Sequence, residues 1–128
     1  MIVGNKKKSH QLYLERSRKT ISYAIDQIQK SPLAPFVQNI YLYGSCARKE
    51  QKYGSDVDLF LELSPKVNRE ELQHEMTLLK ANVTPLDDSL PEVDLKIEIG
   101  NKWRDSSLLY YKNIKKEGMS IWPKLHLI

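Results

Sequence analysis

The chain has 128 residues, of which 41% are hydrophobic and 28% charged, and its 20 lysines and arginines exceed its 16 aspartates and glutamates by four. This composition is typical of a globular domain, and so small an excess of positive charge does not by itself predict nucleic-acid binding. The single cysteine, Cys46, excludes an intrachain disulfide. No apolar stretch is long enough to indicate a signal peptide or a membrane-spanning helix. These features predict one cytoplasmic domain spanning residues 1–128.

The first predicted element is a helix from about residue 9 to residue 30, because its apolar side chains recur at helical steps. The lysine run at residues 6–8 predicts a flexible, solvated tail ahead of it. Two prolines within residues 31–35 end the helix, since proline clashes with helix continuation.

A strand is predicted at residues 40–43, which are β-branched, aromatic or leucine and run directly into Gly44. A short helix is then predicted from Cys46 to about residue 51, followed by a turn at residues 53–55. The chain therefore turns sharply between its first strand and the segment that follows.

Strict alternation of apolar and polar residues predicts two further strands, at residues 56–63 and 92–99. Between them, Asn68 and Glu71 are typical of a helix start, and residues 82–91 read as a loop with two prolines. In each strand the aspartates and glutamates share one face and the valines, leucines and isoleucines share the other.

The last predicted helix begins near Asp105 and Ser106 and ends at Gly118, a glycine suited to a helix C-cap. Residues 119–122 predict a final short strand. Because helices and strands alternate along the chain, the predicted fold class is α/β or α+β, with a small mixed sheet flanked by helices.

Gly44 and Ser45 lie at the predicted strand-to-helix turn. Glycine allows a ligand to approach the backbone closely, and the free N–H groups of a helix N-terminus attract anions. The pair therefore predicts a phosphate site, although glycine and serine are also common in ordinary turns.

Asp56 and Asp58 are two residues apart on one strand, so their side chains project from the same face with Cα atoms ~6.6 Å apart. Two carboxylates at this spacing repel each other unless a cation lies between them, and such pairs hold the metal ions of phosphoryl-transfer sites. Their hard oxygen ligands favour Mg²⁺ or Mn²⁺. The alternative is a pair of solvent-facing acids on an edge strand.

Asp94 occupies the same position in its strand as Asp58 does in the earlier one, between two apolar residues. If the two strands are neighbours, three carboxylates meet on one face, and the third can bind a metal and accept the proton of an attacking hydroxyl. Glu92 and Glu98 share this face, and we expect both to be ordinary surface charges.

Residues 44–49 and 55–59 read Gly-Ser-Cys-Ala-Arg-Lys and Ser-Asp-Val-Asp-Leu. The pair of motifs resembles the signature of the polymerase-β-like nucleotidyltransferase superfamily, Gly-Ser-x-Ala-Arg-Gly followed by Ser-Asp-x-Asp-Leu. At this length the chain most resembles the minimal nucleotidyltransferases. Lys49 departs from the glycine of the motif, and Val93-Asp94-Leu95 resembles the strand that carries the third acid.

The resemblance implies a nucleotidyltransferase fold and assigns roles to individual residues. The implied nucleotide-binding residues are Gly44, Ser45, Arg48 and Ser55. The implied catalytic and metal-binding residues are Asp56, Asp58 and Asp94, with Asp94 as the base. The implied cofactor is Mg²⁺ or Mn²⁺.

The resemblance also implies a reaction, the transfer of a nucleoside monophosphate, AMP from ATP in the first instance, to an acceptor hydroxyl. Members of the minimal group often accompany a HEPN-type protein, and some are antitoxins that transfer AMP to it. A non-catalytic antitoxin and an enzyme acting on a small molecule, such as an antibiotic, or on an RNA end are the alternatives. No membrane partner is expected, while nucleic acid and an oligomer stay open.

The remaining chemically active side chains carry no predicted role in catalysis. His10, His74 and His126 lack the spacing of metal ligands. Cys46, at the predicted helix start, would have a lowered pKa there but matches a variable position of the motif. The aromatic residues expected to pack in the core or at an interface are Trp103, Tyr110, Tyr111 and Trp122.

Overall fold

A four-stranded mixed sheet lies at the centre of the computed structural model, which describes residues 2–122 and the side chains of residues 8–122. The strands are β1 (Val37–Tyr43), β2 (Val57–Leu63), β3 (Val93–Ile99) and β4 (Met119–Ser120), in the spatial order β3-β2-β1-β4. The α-helices are α1 (Ile2–Lys30), α2 (Arg69–Asn82) and α3 (Leu109–Glu117). Strand β2 pairs parallel with β3 and antiparallel with β1, which pairs antiparallel with β4. The predicted mixed sheet flanked by helices is confirmed.

One face of the sheet packs against α1 and α2 and forms the larger core. The alternation in β2 points Val57, Leu59 and Leu61 to this face, where all three are completely buried. Ile25 of α1 and Met76 of α2 belong to the same cluster. Burial of apolar surface stabilises the fold by roughly 25 cal/mol per Å². The fold is therefore most stable when the apolar face of each alternating strand is turned toward the helices.

Helix α2 begins as the sequence predicts. The side chain of Asn68 accepts hydrogen bonds from the backbone N–H groups of Glu70 and Glu71. These two donors have no partner within the helix itself, so the cap stabilises its first turn.

The other face of the sheet is partly apolar, although the alternation places acids along it. Phe60 of β2 is fully buried there in a cluster with Tyr43, Trp103 and Ile114, which α3 and the 3₁₀ helix Lys102–Asp105 help to build. The ring centroids of Phe60 and Trp103 are 4.7 Å apart. Aromatic packing on this face confines the open acidic surface to one end of β2 and β3.

Glu62 is the buried acid of this face, with 4% of its surface exposed. It accepts a hydrogen bond from Trp103 Nε1 at 2.7 Å and another from Arg104 Nη2 at 3.2 Å. These two donors replace the hydrogen bonds to water that the carboxylate loses on burial. Glu62 therefore stabilises the fold and lies apart from the open carboxylates.

Several predicted bounds were wrong, and the first strand, expected at residues 40–43, starts at Val37. Helix α1 starts at Ile2, so the lysines at residues 6–8 belong to its backbone and do not form a flexible tail. The helix predicted from Cys46 to residue 51 is absent, and a 3₁₀ helix, Gly44–Cys46, followed by turns takes its place. Helix α3 starts at Leu109, because the segment near Asp105 forms the 3₁₀ helix that buries Trp103.

The link between α3 and β4 is a single glycine, as the predicted C-cap requires. The Gly118 N–H donates to the Ile114 carbonyl at 2.8 Å, and a Cβ at Gly118 would overlap that carbonyl oxygen. The predicted strand at residues 119–122 is shortened to Met119–Ser120.

No helix in the described part of the chain is long and apolar enough to cross a membrane.

Candidate active site

The turn after β1 lies directly against the acidic strand β2. Gly44 has φ +73°, in the left-handed region that favours glycine, and a Cβ there would overlap Oδ2 of Asp58. The left-handed backbone and the close approach to a carboxylate together favour glycine at position 44. The predicted Gly44-Ser45 feature lies directly against the predicted acidic feature.

Strand pairing aligns the predicted carboxylates. In the parallel register of β2 and β3, Asp58 is paired with Asp94, and across the antiparallel pair with β1 it lies opposite Tyr43. Asp56 immediately precedes β2 and is exposed, Asp58 is half-buried, and the Asp94 side chain is 47% exposed. Asp58 and Asp94 thus share the sheet face that was predicted for them.

The carboxylates affect one another electrostatically. The pKa of Asp58 is raised to about 6, chiefly by burial and in addition by the negative charges of Asp94 and Asp56. The positive charges of Arg48 and Lys96 oppose the rise only in part. Negative charge therefore accumulates at this end of the sheet without full compensation by the protein's own cations.

This excess of negative charge is what a divalent cation would neutralise, and the oxygen ligands suit Mg²⁺ or Mn²⁺. Within residues 8–122, no three acidic, histidine or cysteine side chains already converge closely enough to hold a metal ion. Lys96 Nζ lies 3.7 Å from Asp94 Oδ1, so Asp94 has a lysine neighbour in this arrangement. The carboxylates fit a metal by their chemistry and by charge.

Glu117, at the end of α3, is a residue of this site that the sequence analysis missed. Its Oε1 accepts a hydrogen bond from the Gly44 N–H at 3.1 Å. Its two carboxylate oxygens also accept from Arg48 Nη1, at 3.1 and 2.9 Å. Position 117 is 69 residues from Arg48 along the chain, and no local pattern marks it.

Lys49, which replaces the motif's glycine, keeps the backbone conformation that glycine favours. Its φ of +58° lies in the left-handed region, where glycine is the usual residue. Backbone hydrogen bonds from Arg48 to Gly44 and from Glu50 to Ser45 hold the turn on either side of it. The chain keeps the turn shape and accepts a strained lysine within it.

Two predicted features of the turns have structural explanations. The Ser55 hydroxyl accepts a hydrogen bond from the Lys52 N–H at 2.9 Å, so it closes the turn before Asp56. Cys46 is buried, and this burial raises the pKa of its thiol. The expectation of a lowered pKa was wrong because no α-helix begins at Cys46.

Two tyrosines border the acidic cluster. The hydroxyls of Tyr43 and Tyr110 are 3.0 Å apart. The pKa of Tyr43 is raised to about 12, chiefly by burial and in addition by the nearby charges of Asp58 and Asp94. Tyr110 of α3 therefore packs against Tyr43 at the border of the site, in keeping with the packing role expected for it.

A cavity of about 620 Å³ lies between α1 and the loops that precede β2 and β3, and Asp56 forms part of its wall. Its lining includes Tyr13, Tyr53 and Gln51. Gln51 is 6% exposed, and its Oε1 has no hydrogen-bond partner among the described residues. The cavity is large enough for a small organic molecule.

The other residues that were set aside lie away from the acidic cluster or have structural partners. His10 is half-buried in α1, His74 is exposed on α2, and His126 lies outside the described residues. Glu98 accepts a hydrogen bond from the Tyr111 hydroxyl at 2.6 Å. Trp103 is buried in the core, as expected.

A small mixed sheet that sets a glycine turn against a strand aspartate is the arrangement expected of a nucleotidyltransferase. The family model described as Polymerase beta, Nucleotidyltransferase matches residues 24–124, and the chain belongs to this family. The resemblance inferred from the two motifs is thereby confirmed. No curated protein matches the chain in sequence.

Two solved structures are similar in fold. A structure of a toxin–antitoxin with AMP-PNP is 22% identical, with a TM-score of 0.51, over 79% of this chain and 71% of that one. A proposed nucleotidyltransferase from Sulfolobus solfataricus is 13% identical, with a TM-score of 0.51, over 86% of each chain. These similarities support the assigned fold.

Proposed function

We propose that the chain transfers AMP from ATP to an acceptor hydroxyl, with Mg²⁺ or Mn²⁺ as cofactor. The observation that carries this proposal is the contact of the Gly44 turn with Asp58, which is itself paired with Asp94. It puts anion-binding N–H groups beside carboxylates that need a cation. Phosphates and metal ions are therefore the ligands that the two halves of the site would share.

In this reaction Gly44 and Ser45 would bind the triphosphate through backbone N–H groups, and Arg48 would bind it through its guanidinium. Asp56, Asp58 and Asp94 would hold the metal, which supplies positive charge that stabilises the transition state. Asp94, the more exposed of the strand-paired carboxylates, would accept the proton of the acceptor hydroxyl. The hydroxyl oxygen bonds to the α-phosphorus as the bond to the bridging oxygen breaks, and pyrophosphate leaves.

The acceptor that we propose is a hydroxyl of a HEPN-type protein partner, with this chain as the antitoxin. The toxin–antitoxin structure that is similar in fold was solved with an adenine nucleotide analogue, AMP-PNP. It therefore supports both the proposed nucleotide and the proposed kind of partner. A partner protein would bring its own hydroxyl to the open end of β2 and β3.

A small-molecule acceptor is a second candidate, favoured by the cavity beside Asp56. Its volume of about 620 Å³ suits a drug-sized molecule. A hydroxylated molecule bound there would approach the carboxylates from the α1 side.

The test is incubation with Mg²⁺ and ATP labelled at either the α- or the γ-phosphate, with the partner protein or small hydroxylated compounds as acceptors. We expect the α-label alone to be transferred, and the double variant Asp56→Ala/Asp58→Ala to lose transfer. Asp26→Ala is the matched control, because Asp26 is an exposed aspartate of α1 paired with Lys30. Equal transfer by wild type and the double variant would show that the active site lies elsewhere.

A further inference from the structure

Glu117 binds the same groups that a phosphate would use. The Gly44 N–H and the Arg48 guanidinium are the chain's proposed anion donors, and both donate to this one carboxylate. A carboxylate resembles one edge of a phosphate, with two anionic oxygens that accept hydrogen bonds from the same kinds of donor. The Gly44 N–H and Nη1 of Arg48 are therefore already hydrogen-bonded before any ligand arrives.

The geometry favours competition over shared binding. A single backbone N–H has one hydrogen to donate, so Gly44 cannot give its bond to Glu117 and to a phosphate at full strength. A phosphate placed beside Glu117 would also meet its negative charge at close range. Asp58, which the Gly44 turn contacts, adds a further negative charge on this side.

We propose that the Glu117 carboxylate is an internal competitor for the triphosphate and sets the affinity of the nucleotide site. Nucleotide binding requires the side chain to leave Gly44 and Arg48, and apparent affinity falls by the fraction of molecules in which it has left. This inference rests on the proposed function, since it takes the triphosphate as the ligand.

The expected size of the effect is moderate. The Arg48 and Glu117 side chains are 44% and 26% exposed, so water weakens their ion pair. A two-pronged, charge-assisted contact with one added backbone hydrogen bond would lower the affinity for ATP roughly three- to tenfold.

Glu117→Gln tests the proposal, with the full-length chain, Mg²⁺ and ATP in a calorimetric binding assay. The matched control is Glu50→Gln, because Glu50 Oε2 lies 3.4 Å from Arg48 Nε while the Gly44 N–H donates to Glu117. We expect roughly three- to tenfold tighter ATP binding for Glu117→Gln and less than about twofold change for Glu50→Gln. Tripolyphosphate should gain the same factor, and adenosine, which lacks phosphates, should gain none.

Two other results would overturn the inference. Weaker or unchanged ATP binding by Glu117→Gln would show that Glu117 positions Arg48 and does not compete with phosphate. An equal gain in Glu50→Gln would reduce the effect to general charge near Arg48. With either result, ATP binding by the wild type would leave the proposed function standing. If neither the wild type nor any variant binds ATP, at unchanged melting temperatures, then the inference about Glu117 and the proposed function are both refuted.

Discussion

Replacing Asp58 with asparagine should stabilise the metal-free protein at neutral pH while abolishing transfer. Asp58 must ionise beside Asp94 and Asp56, and its pKa is raised from 3.8 to about 6. A rise of this size corresponds to at most about 3 kcal/mol, and partial exposure to solvent reduces it to about 1–2 kcal/mol. The asparagine would keep the shape of the side chain and remove the charge.

The pH dependence of this effect has a definite sign. Because the pKa of Asp58 is higher in the folded state, the folded protein binds the proton more tightly. The resulting stabilisation is complete below pH 3.8 and is lost as pH rises through about 6. The advantage of Asp58→Asn should therefore be small at acid pH and reach its full size by about pH 7.

The measurement is urea unfolding of wild type and Asp58→Asn at several pH values between about 4.5 and 7.5, in chelator and then in Mg²⁺. We expect Mg²⁺ to stabilise the wild type more than the variant, because a ligand of the native state stabilises it in proportion to its binding. A stability difference that does not change with pH, or a variant less stable than wild type at the upper end of this range, would refute this account of the carboxylate cluster.

Three further substitutions, the first with a matched control, test other parts of the structure. Gly44→Ala should weaken ATP binding at least about tenfold through its clash, whereas Gly54→Ala, at φ +80° with nothing within 4 Å of its Cβ, should lose only about 1 kcal/mol of stability; equal ATP affinities would contradict this. Glu62→Ala should lower the unfolding free energy by about 2–3 kcal/mol, because the buried Trp103 N–H loses its acceptor; a loss under about 0.5 kcal/mol would show that the indole finds another partner. Lys49→Gly should raise the melting temperature by removing up to about 1 kcal/mol of left-handed strain, and a lower melting temperature would count against that strain.

The strands and their inward faces could be predicted because they depend on local alternation. Val57 and Asp58 had to point to opposite sides of any strand that contained them, and the structure keeps that division. The Asn68 cap was readable for the same reason, since a helix start uses neighbouring residues. Asp58 and Asp94 were predicted to share one face if their strands were neighbours in the sheet. The parallel pairing of β2 with β3 shows that the strands are neighbours.

The rest depends on long-range packing that leaves no local signal. Alternation places Phe60 on the same face as the acids. Phe60 is nevertheless a core residue, because Trp103, from a 3₁₀ helix distant in sequence, packs against it. Similarly, Glu117 reads as one more charge at the end of a lysine-rich helix. Its contact with Gly44 exists because β4, two residues further on, pairs with β1, the strand that ends just before that glycine.

The short link at Gly118 has a kinetic consequence. Helix α3 ends at Glu117 and β4 starts at Met119, so the backbone next to Glu117 is held on one side by the helix and on the other by the sheet. Glu117 can then release Gly44 by rotation about its side-chain bonds, without movement of a domain or a loop. Such rotations are faster than movements of loops or domains, so nucleotide association should proceed in one fast phase with no slow opening step.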